Sequence, residues 1–231
     1  LPPGFTQVTA GDLPELEAAI GPDTAAVMVE TTQGEGGVVP LSTDYLRGVR
    51  DLCDAQDILL IVDDVQAGVG RTGTWFSWQQ LGFEPDIATT AKALANGLPV
   101  GVAMARGEVA TAFESGDHAT TFGGGPVVCR AALTVLDEIE EYGLLSNVAE
   151  RSEQFREALG HLDGVVNVRG RGLLLAAVLD DTRALDVVER SLELGLIVNA
   201  VRPDAVRFAP PLNISEEETA QAVSVFEKAL G

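Results

Sequence analysis

The feature that most constrains how this chain can fold is a succession of short apolar runs, each of strand length, separated by segments with a helical rhythm. Ala25–Glu30 (AAVMVE), Ile58–Asp63 (ILLIVD), Ile87–Thr90 and Val100–Ala105 (VGVAMA) read as strands, and Leu46, Val49, Leu52 and Cys53 form one face of an intervening helix. Runs that are apolar throughout belong in a sheet covered on both faces, and strands joined through helices favour a mostly parallel one. A long helix follows Pro126, with Val128, Ala131, Ala132, Val135, Leu136 and Ile139 on one side. Near Gly143 the rhythm changes: a helix over Leu144–Leu159, strands at Val165–Arg169 and Leu173–Leu179, a helix around Ala184–Leu194, then Leu196–Asn199, Ala205–Phe208 and a last helix that the Ser215 hydroxyl can cap. The chain therefore reads as an α/β part over residues 1–142 and a smaller α+β domain over 143–231.

Several function classes fall away early. The 231 residues are 46% hydrophobic and 22% charged, which suits a packed core and excludes a disordered chain. No apolar run approaches the roughly 18–20 residues of a membrane helix. The net charge of −20 repels phosphate backbones, so nucleic acid is not an expected partner. Leu1-Pro2-Pro3-Gly4-Phe5 resembles no targeting signal, and Cys53 and Cys129 lie far apart in helical patterns. They are expected as core residues, neither a disulfide nor a metal site, in a cytoplasmic protein.

Among fifteen basic residues only Lys92 and Lys228 are lysine. Lys228 falls opposite the apolar face of Val223, Phe226 and Leu230 and reads as a solvated helix residue. Lys92 sits in DIATTAKALANGLPVG among small and apolar neighbours. It is either a loop lysine or one held near a site, where desolvation makes it a nucleophile toward an aldehyde. The run LLIVDD ends at a carboxylate, where an open α/β sheet presents residues to ligands. An acid at such a strand end suits either the metal of a P-loop nucleotidase or the nitrogen of a pyridine cofactor. The first needs GxxxxGK[ST], which neither lysine provides. Asp63 precedes Lys92 by 29 residues, and adjacent parallel strands would bring both to one edge. Gln33–Gly37 and Thr120–Pro126 read as turns or as phosphate cradles. Arg207, in a short strand stopped by Pro210 and Pro211, is either a surface residue or a rigid fork for a carboxylate.

Taken in order, VETTQGEGGVVP (29–40), LLIVDDVQAGVGRTG (59–73), PDIATTAKALANGLPVG (85–101), HATTFGGGP (118–126), VRGRGLLL (168–175) and VRFAPPLNIS (206–215) resemble the class III, fold-type I pyridoxal-phosphate aminotransferases. LGLIVNAVRPDAVRFAPPLNIS is most similar to the acetylornithine aminotransferases within that group. The resemblance implies the C-terminal part of a large PLP-binding domain plus a small C-terminal domain. It also implies transamination between N²-acetylornithine and 2-oxoglutarate in arginine biosynthesis, in a homodimer with shared active sites. Other ω-amine donors, or a non-catalytic scaffold role for this stretch alone, are the alternatives. Lys92 would hold the cofactor covalently and shuttle a proton. Asp63, Asp64, Val65 and Gln66 would contact the cofactor, with Asp63 on the ring nitrogen and Gln66 on the phenolic oxygen. Thr121 would reach the phosphate of the neighbouring subunit's cofactor, and Thr120 would lie near substrate. Glu35 and Arg207 would form a gate in which glutamate masks arginine until 2-oxoglutarate must be held. Asp64 stands for the family's usual glutamate, and Glu30-Thr31-Thr32 for its Glu-Pro. Gly125 replaces a common asparagine and Ala95-Asn96-Gly97 a glycine-rich stretch. The family's phosphate loop, stacking aromatic and substrate arginine match nothing here, so the chain is expected to be a C-terminal portion, inactive alone.

Overall fold

A computed structural model describes residues 2–231. The elements are α1 (Leu13–Ala19), β1 (Ala26–Val29), β2 (Thr32–Gln33), β3 (Val39–Pro40), α2 (Thr43–Gln56), β4 (Leu59–Asp63), β5 (Ile87–Thr90), β6 (Val102–Ala105), α3 (Pro126–Glu141), α4 (Leu144–Gly160), β7 (Val165–Arg171), β8 (Leu174–Leu179), α5 (Ala184–Glu193), β9 (Asn199–Arg202), β10 (Ala205–Phe208) and α6 (Glu216–Leu230). Short 3-10 turns span Lys92–Ala95 and Gly107–Thr111.

The first sheet has the order β1-β4-β5-β6. β1, β4 and β5 are parallel, while β6 runs antiparallel to β5. The sheet is thus mostly parallel, as expected, with β6 as an antiparallel edge strand. A parallel return needs a crossover of a dozen or more residues, usually helical, and the 91–101 connection is too short to make one. One face of this sheet is covered: Leu46, Val49 and Cys53 of α2 pack on Val27, Leu60 and Val62. Fully burying each large aliphatic side chain contributes about 1.5–3 kcal/mol. The N-cap hydroxyl of Ser42 accepts from Tyr45 N–H and fixes where α2 begins. On the opposite face Met28 is 55% exposed, and Leu59, Ile61 and Asp63 are half-buried.

The second sheet, β7-β8-β10-β9, is antiparallel throughout. Strand alternation divides β8 between two cores. Leu175, Ala177 and Leu179, with Val206 and Phe208, lie under α4, α5 and α6. Phe208 there meets Phe155 and Phe226 at centroid distances of 5.7 and 5.0 Å. Leu174 and Ala176 face the other way and pack on Val38 and Ala67 beside the first sheet. That double cover explains why an antiparallel strand reads LLAAVL. Ser215 caps α6 in a reciprocal box with Glu218, and Lys228 is exposed, both as expected. Cys53 is buried, but Cys129 is exposed on α3, contrary to the core role read for it. The strand expected at Leu196–Asn199 begins instead at Asn199, where pairing with β10 starts. Among the described residues no helix is long and apolar enough to cross a membrane.

Candidate active site

Three parallel strands end at one edge of the first sheet, and the segments leaving those ends build the site. β4 ends at Asp63, whose neighbour in register on β5 is Thr89. Two residues beyond the end of β5 comes Lys92. β1 leads through Glu30 and Thr31 into the Gly34–Val38 turn that carries Glu35. Carboxylate and amine therefore share an edge because their strands are adjacent and parallel.

Strand alternation separates the two aspartates. Asp63 continues the open face of Leu59 and Ile61, where its Oδ1 accepts from Val65 N–H at 3.0 Å and Thr89 Oγ1 at 3.4 Å. Its Oδ2 has no protein donor among the described residues. Asp64 continues the face of Leu60 and Val62 and is fully buried. Its Oδ2 accepts from Ser77 N–H at 2.9 Å, and the Ser77 hydroxyl accepts from Thr31 Oγ1 at 2.6 Å. The Asp64 side chain thus makes its hydrogen bond within the protein. Its carboxylate points away from Asp63 and ties the exits of β1 and β4 together.

Burial pushes the Asp64 carboxyl up to about 6, against hydrogen bonds from Ser77 that pull it down. An acid whose folded pKa lies above its unfolded value loses stability as pH rises between the two, here from about 4 to about 6. At about 1.4 kcal/mol per unit the full cost is on the order of 3 kcal/mol. Asp64→Asn, which keeps the acceptor for Ser77, should therefore be more stable than the parent by about 2–3 kcal/mol at pH 8 and indistinguishable at pH 4. Urea unfolding at the two pH values checks this, and a gain equal at both would refute it.

Lys92 is exposed, not desolvated, and stands at φ 46°, a left-handed conformation that a non-glycine residue adopts at a cost of about 1–2 kcal/mol. Strain of this kind persists where neighbours over-determine the backbone, often at functional sites. Leu94, in the same turn, packs with Val69 and Ile139, so α3 holds the turn from below. Glu35 Oε1 lies 2.7 Å from Arg207 Nη1 and 3.4 Å from Gln66 Nε2. The Arg207 hydrogen bond, then that of Gln66, then the guanidinium charge hold the Glu35 carboxyl below its ordinary value, with a smaller contribution from Lys92. The Arg207 side chain is 15% exposed and that of Glu35 75%. With its carboxylate this open to water, the pair is worth little, on the order of 1 kcal/mol. Gln66 reaches Glu35 across Gly34, where an added Cβ would fall 1.4 Å from Gln66 Oε1.

Thr120 and Thr121 are exposed and bond to none of these residues; Thr120 Oγ1 accepts from Gly123 N–H at 3.0 Å. The Gln33–Gly37 segment is a turn. Gly34 N–H donates to Glu30 Oε2, and the amides of Gly37 and Val38 to the Gly34 carbonyl.

Other arginines around the site were not legible from the sequence. Arg171 donates to the carbonyls of Thr31 and Leu41, Arg169 to Gly37 O and Arg202 to Gly36 O. Arg71 reaches back from the first half to Leu173 O and Pro210 O. The only sequence signal was the marked preference for arginine over lysine.

The residues fit an aldehyde-bearing pyridine cofactor. Lys92 offers an accessible amine, Asp63 a carboxylate oxygen free for a ring N–H, and Gln66 an amide for a ring hydroxyl.

Comparison with known proteins decides the family, since the class-III aminotransferase model matches residues 5–230. The chain belongs to the class-III aminotransferase family. It is 45% identical to acetylornithine aminotransferase 1 of Bordetella bronchiseptica, over 97% of this chain and 58% of that protein. Against acetylornithine aminotransferase of Methanocaldococcus jannaschii the identity is 42%, over 99% and 58%. Among solved structures it superposes on N-acetylornithine aminotransferase of Stenotrophomonas maltophilia with TM-score 0.89 and 36% identity, covering 98% of this chain and 62% of that one. An ornithine aminotransferase of Toxoplasma gondii, in which PLP partially occupies the active site, gives TM-score 0.92 and 35% identity over 98% and 55%. The chain thus spans under two thirds of the length of these aminotransferases.

Proposed function

We propose that the protein uses pyridoxal phosphate to move the terminal amino group of N²-acetylornithine to 2-oxoglutarate, giving N-acetylglutamate 5-semialdehyde and glutamate. The observation that carries this reading is the Glu35–Arg207 pair at 2.7 Å, whose glutamate sits in the turn leaving the sheet edge that also carries Asp63 and Lys92. When bound, the cofactor supplies an electron sink that lets an amine carbon lose a proton. Lys92 offers the amine that holds the cofactor and carries that proton. Asp63 would keep a proton on the ring nitrogen, and Gln66 would donate to the ring oxygen.

One pocket must accept an ω-amine and then a dicarboxylate. With Glu35 on Arg207 the guanidinium is masked and the amine end of the donor is admitted. With Glu35 turned away, the fork of Arg207 is free for a carboxylate. The solvent-facing Glu35 carboxylate, on a half-buried Arg207, suits a contact in which the glutamate swings away in every cycle. Thr120 and Thr121, exposed and without a partner in their own site, suit a homodimer in which they serve the neighbouring subunit's cofactor and substrate.

Ornithine is the competing donor, favoured by the TM-score of 0.92 to the Toxoplasma ornithine aminotransferase. The comparison that tests the reading is kcat/KM of the complete protein for N²-acetylornithine, ornithine, succinylornithine and 4-aminobutyrate. N²-Acetylornithine should lead by at least about tenfold, the difference that 1.4 kcal/mol of transition-state binding makes. A lead for ornithine or 4-aminobutyrate would overturn the assignment.

A further inference from the structure

The second sheet lays its residues in rows across the strands. Arg169, Ala176, Arg207 and Asn199 are neighbours in register on β7, β8, β10 and β9, so Arg169 and Arg207 project from the same face. Both reach the turn that carries Glu35, in different ways. Arg207 takes the carboxylate. Arg169 Nε donates to Gly37 O at 2.9 Å, and Arg202, at the end of β9, donates from Nη1 to Gly36 O at 3.0 Å. The two carbonyls after Glu35 are therefore held by the sheet that presents its partner.

Local backbone geometry shows why the turn needs holding. Gly37 stands at φ +111°, and a Cβ there would lie 2.5 Å from Arg202 Cδ and 2.9 Å from Arg169 Nη2. Only glycine lets both arginines come this close. Val38, next in the chain and fully buried, stands at φ 54°, a strained position for a β-branched residue.

We infer that Arg169 and Arg202 are positioning residues for the Glu35–Arg207 pair: they fix the backbone of the Glu35 turn on the second sheet, so that exchange between the two substrates is a swing of the Glu35 side chain alone. The inference rests on the gate in the proposed function and adds what sets its balance. A turn free to drift would carry Glu35 away from Arg207 and leave the guanidinium unmasked in both halves of the reaction.

The test uses the complete, cofactor-loaded protein and glutarate, a dicarboxylate that lacks the oxo group and cannot react. Arg202 is exposed, so Arg202→Ala should fold. It should speed amide hydrogen exchange in residues 36–38, tighten glutarate about fivefold in calorimetry and lower kcat/KM for the amine donor by a similar factor, the scale expected from one charge-assisted hydrogen bond. Arg202→Lys, which keeps a donor, should restore all three. Faster exchange with unchanged glutarate affinity and donor kinetics overturns the inference, because the arginine then only tethers a loop. Glu35→Gln separates the two layers. If it tightens glutarate and Arg202→Ala does not, the gate stands and the positioning role falls. If Glu35→Gln leaves glutarate binding unchanged, both fall.

Discussion

Replacing Lys92 with alanine should remove covalent attachment of the cofactor and lower transamination by at least about 10³-fold, the combined effect of losing a nucleophilic amine and a positioned proton carrier. The choice between two lysines makes the test sharp. Borohydride reduction of the parent protein followed by peptide mapping should place the cofactor mass on the peptide containing Lys92, and none on that containing Lys228. The variant should bind cofactor only reversibly. Label on Lys228, or covalent cofactor retained by Lys92→Ala, would refute the site. Backbone strain adds a second signature. Alanine has the same difficulty at φ 46° as lysine, whereas Lys92→Gly relieves it and should be more stable than Lys92→Ala by about 1 kcal/mol, read from unfolding midpoints.

The second large effect belongs to Asp63. Asp63→Asn keeps the shape and an Oδ1 for the Val65 N–H, yet removes the negative charge that would hold a proton on the ring nitrogen. The turnover number should fall by about 10²–10⁴-fold while the protein still takes up cofactor, since Lys92 is untouched. Single-turnover measurement with amine donor separates this from loss of binding. A variant within tenfold of the parent would show that the carboxylate serves the strand end alone. The aspartate one residue later gives the contrast. Asp64→Asn changes how stability depends on pH and leaves the open face of β4 as it was.

The strand ends were legible because an apolar run stopping at an acid is a local pattern, and so was their convergence, because parallel neighbours end together. The division between Asp63 and Asp64 was not legible. Alternation says only that the two face opposite ways, and which way is inward depends on α2, a helix placed by tertiary packing. Cys129 was misread for the same reason: a helix face is core only where something covers it. Leu196–Val198 is apolar but unpaired, and Ile197 is 86% exposed, so hydrophobicity alone placed a strand too early. The arginine contacts lay beyond reach altogether. Each ends on a backbone carbonyl, which every residue possesses and no sequence pattern marks.

Those carbonyl acceptors mean that the seam between the two sheets is held largely by neutral partners. The chain carries a net charge of −20, and its exposed ion pairs weaken as salt screens them over about 8–10 Å. Arg71, Arg169, Arg171 and Arg202 are bound to neutral dipoles at hydrogen-bond distance, several of them shielded from solvent. Such contacts offer dissolved ions little to compete for. Screening by salt should therefore change the charged surface, and the Glu35–Arg207 pair, more than it changes these backbone-anchored contacts.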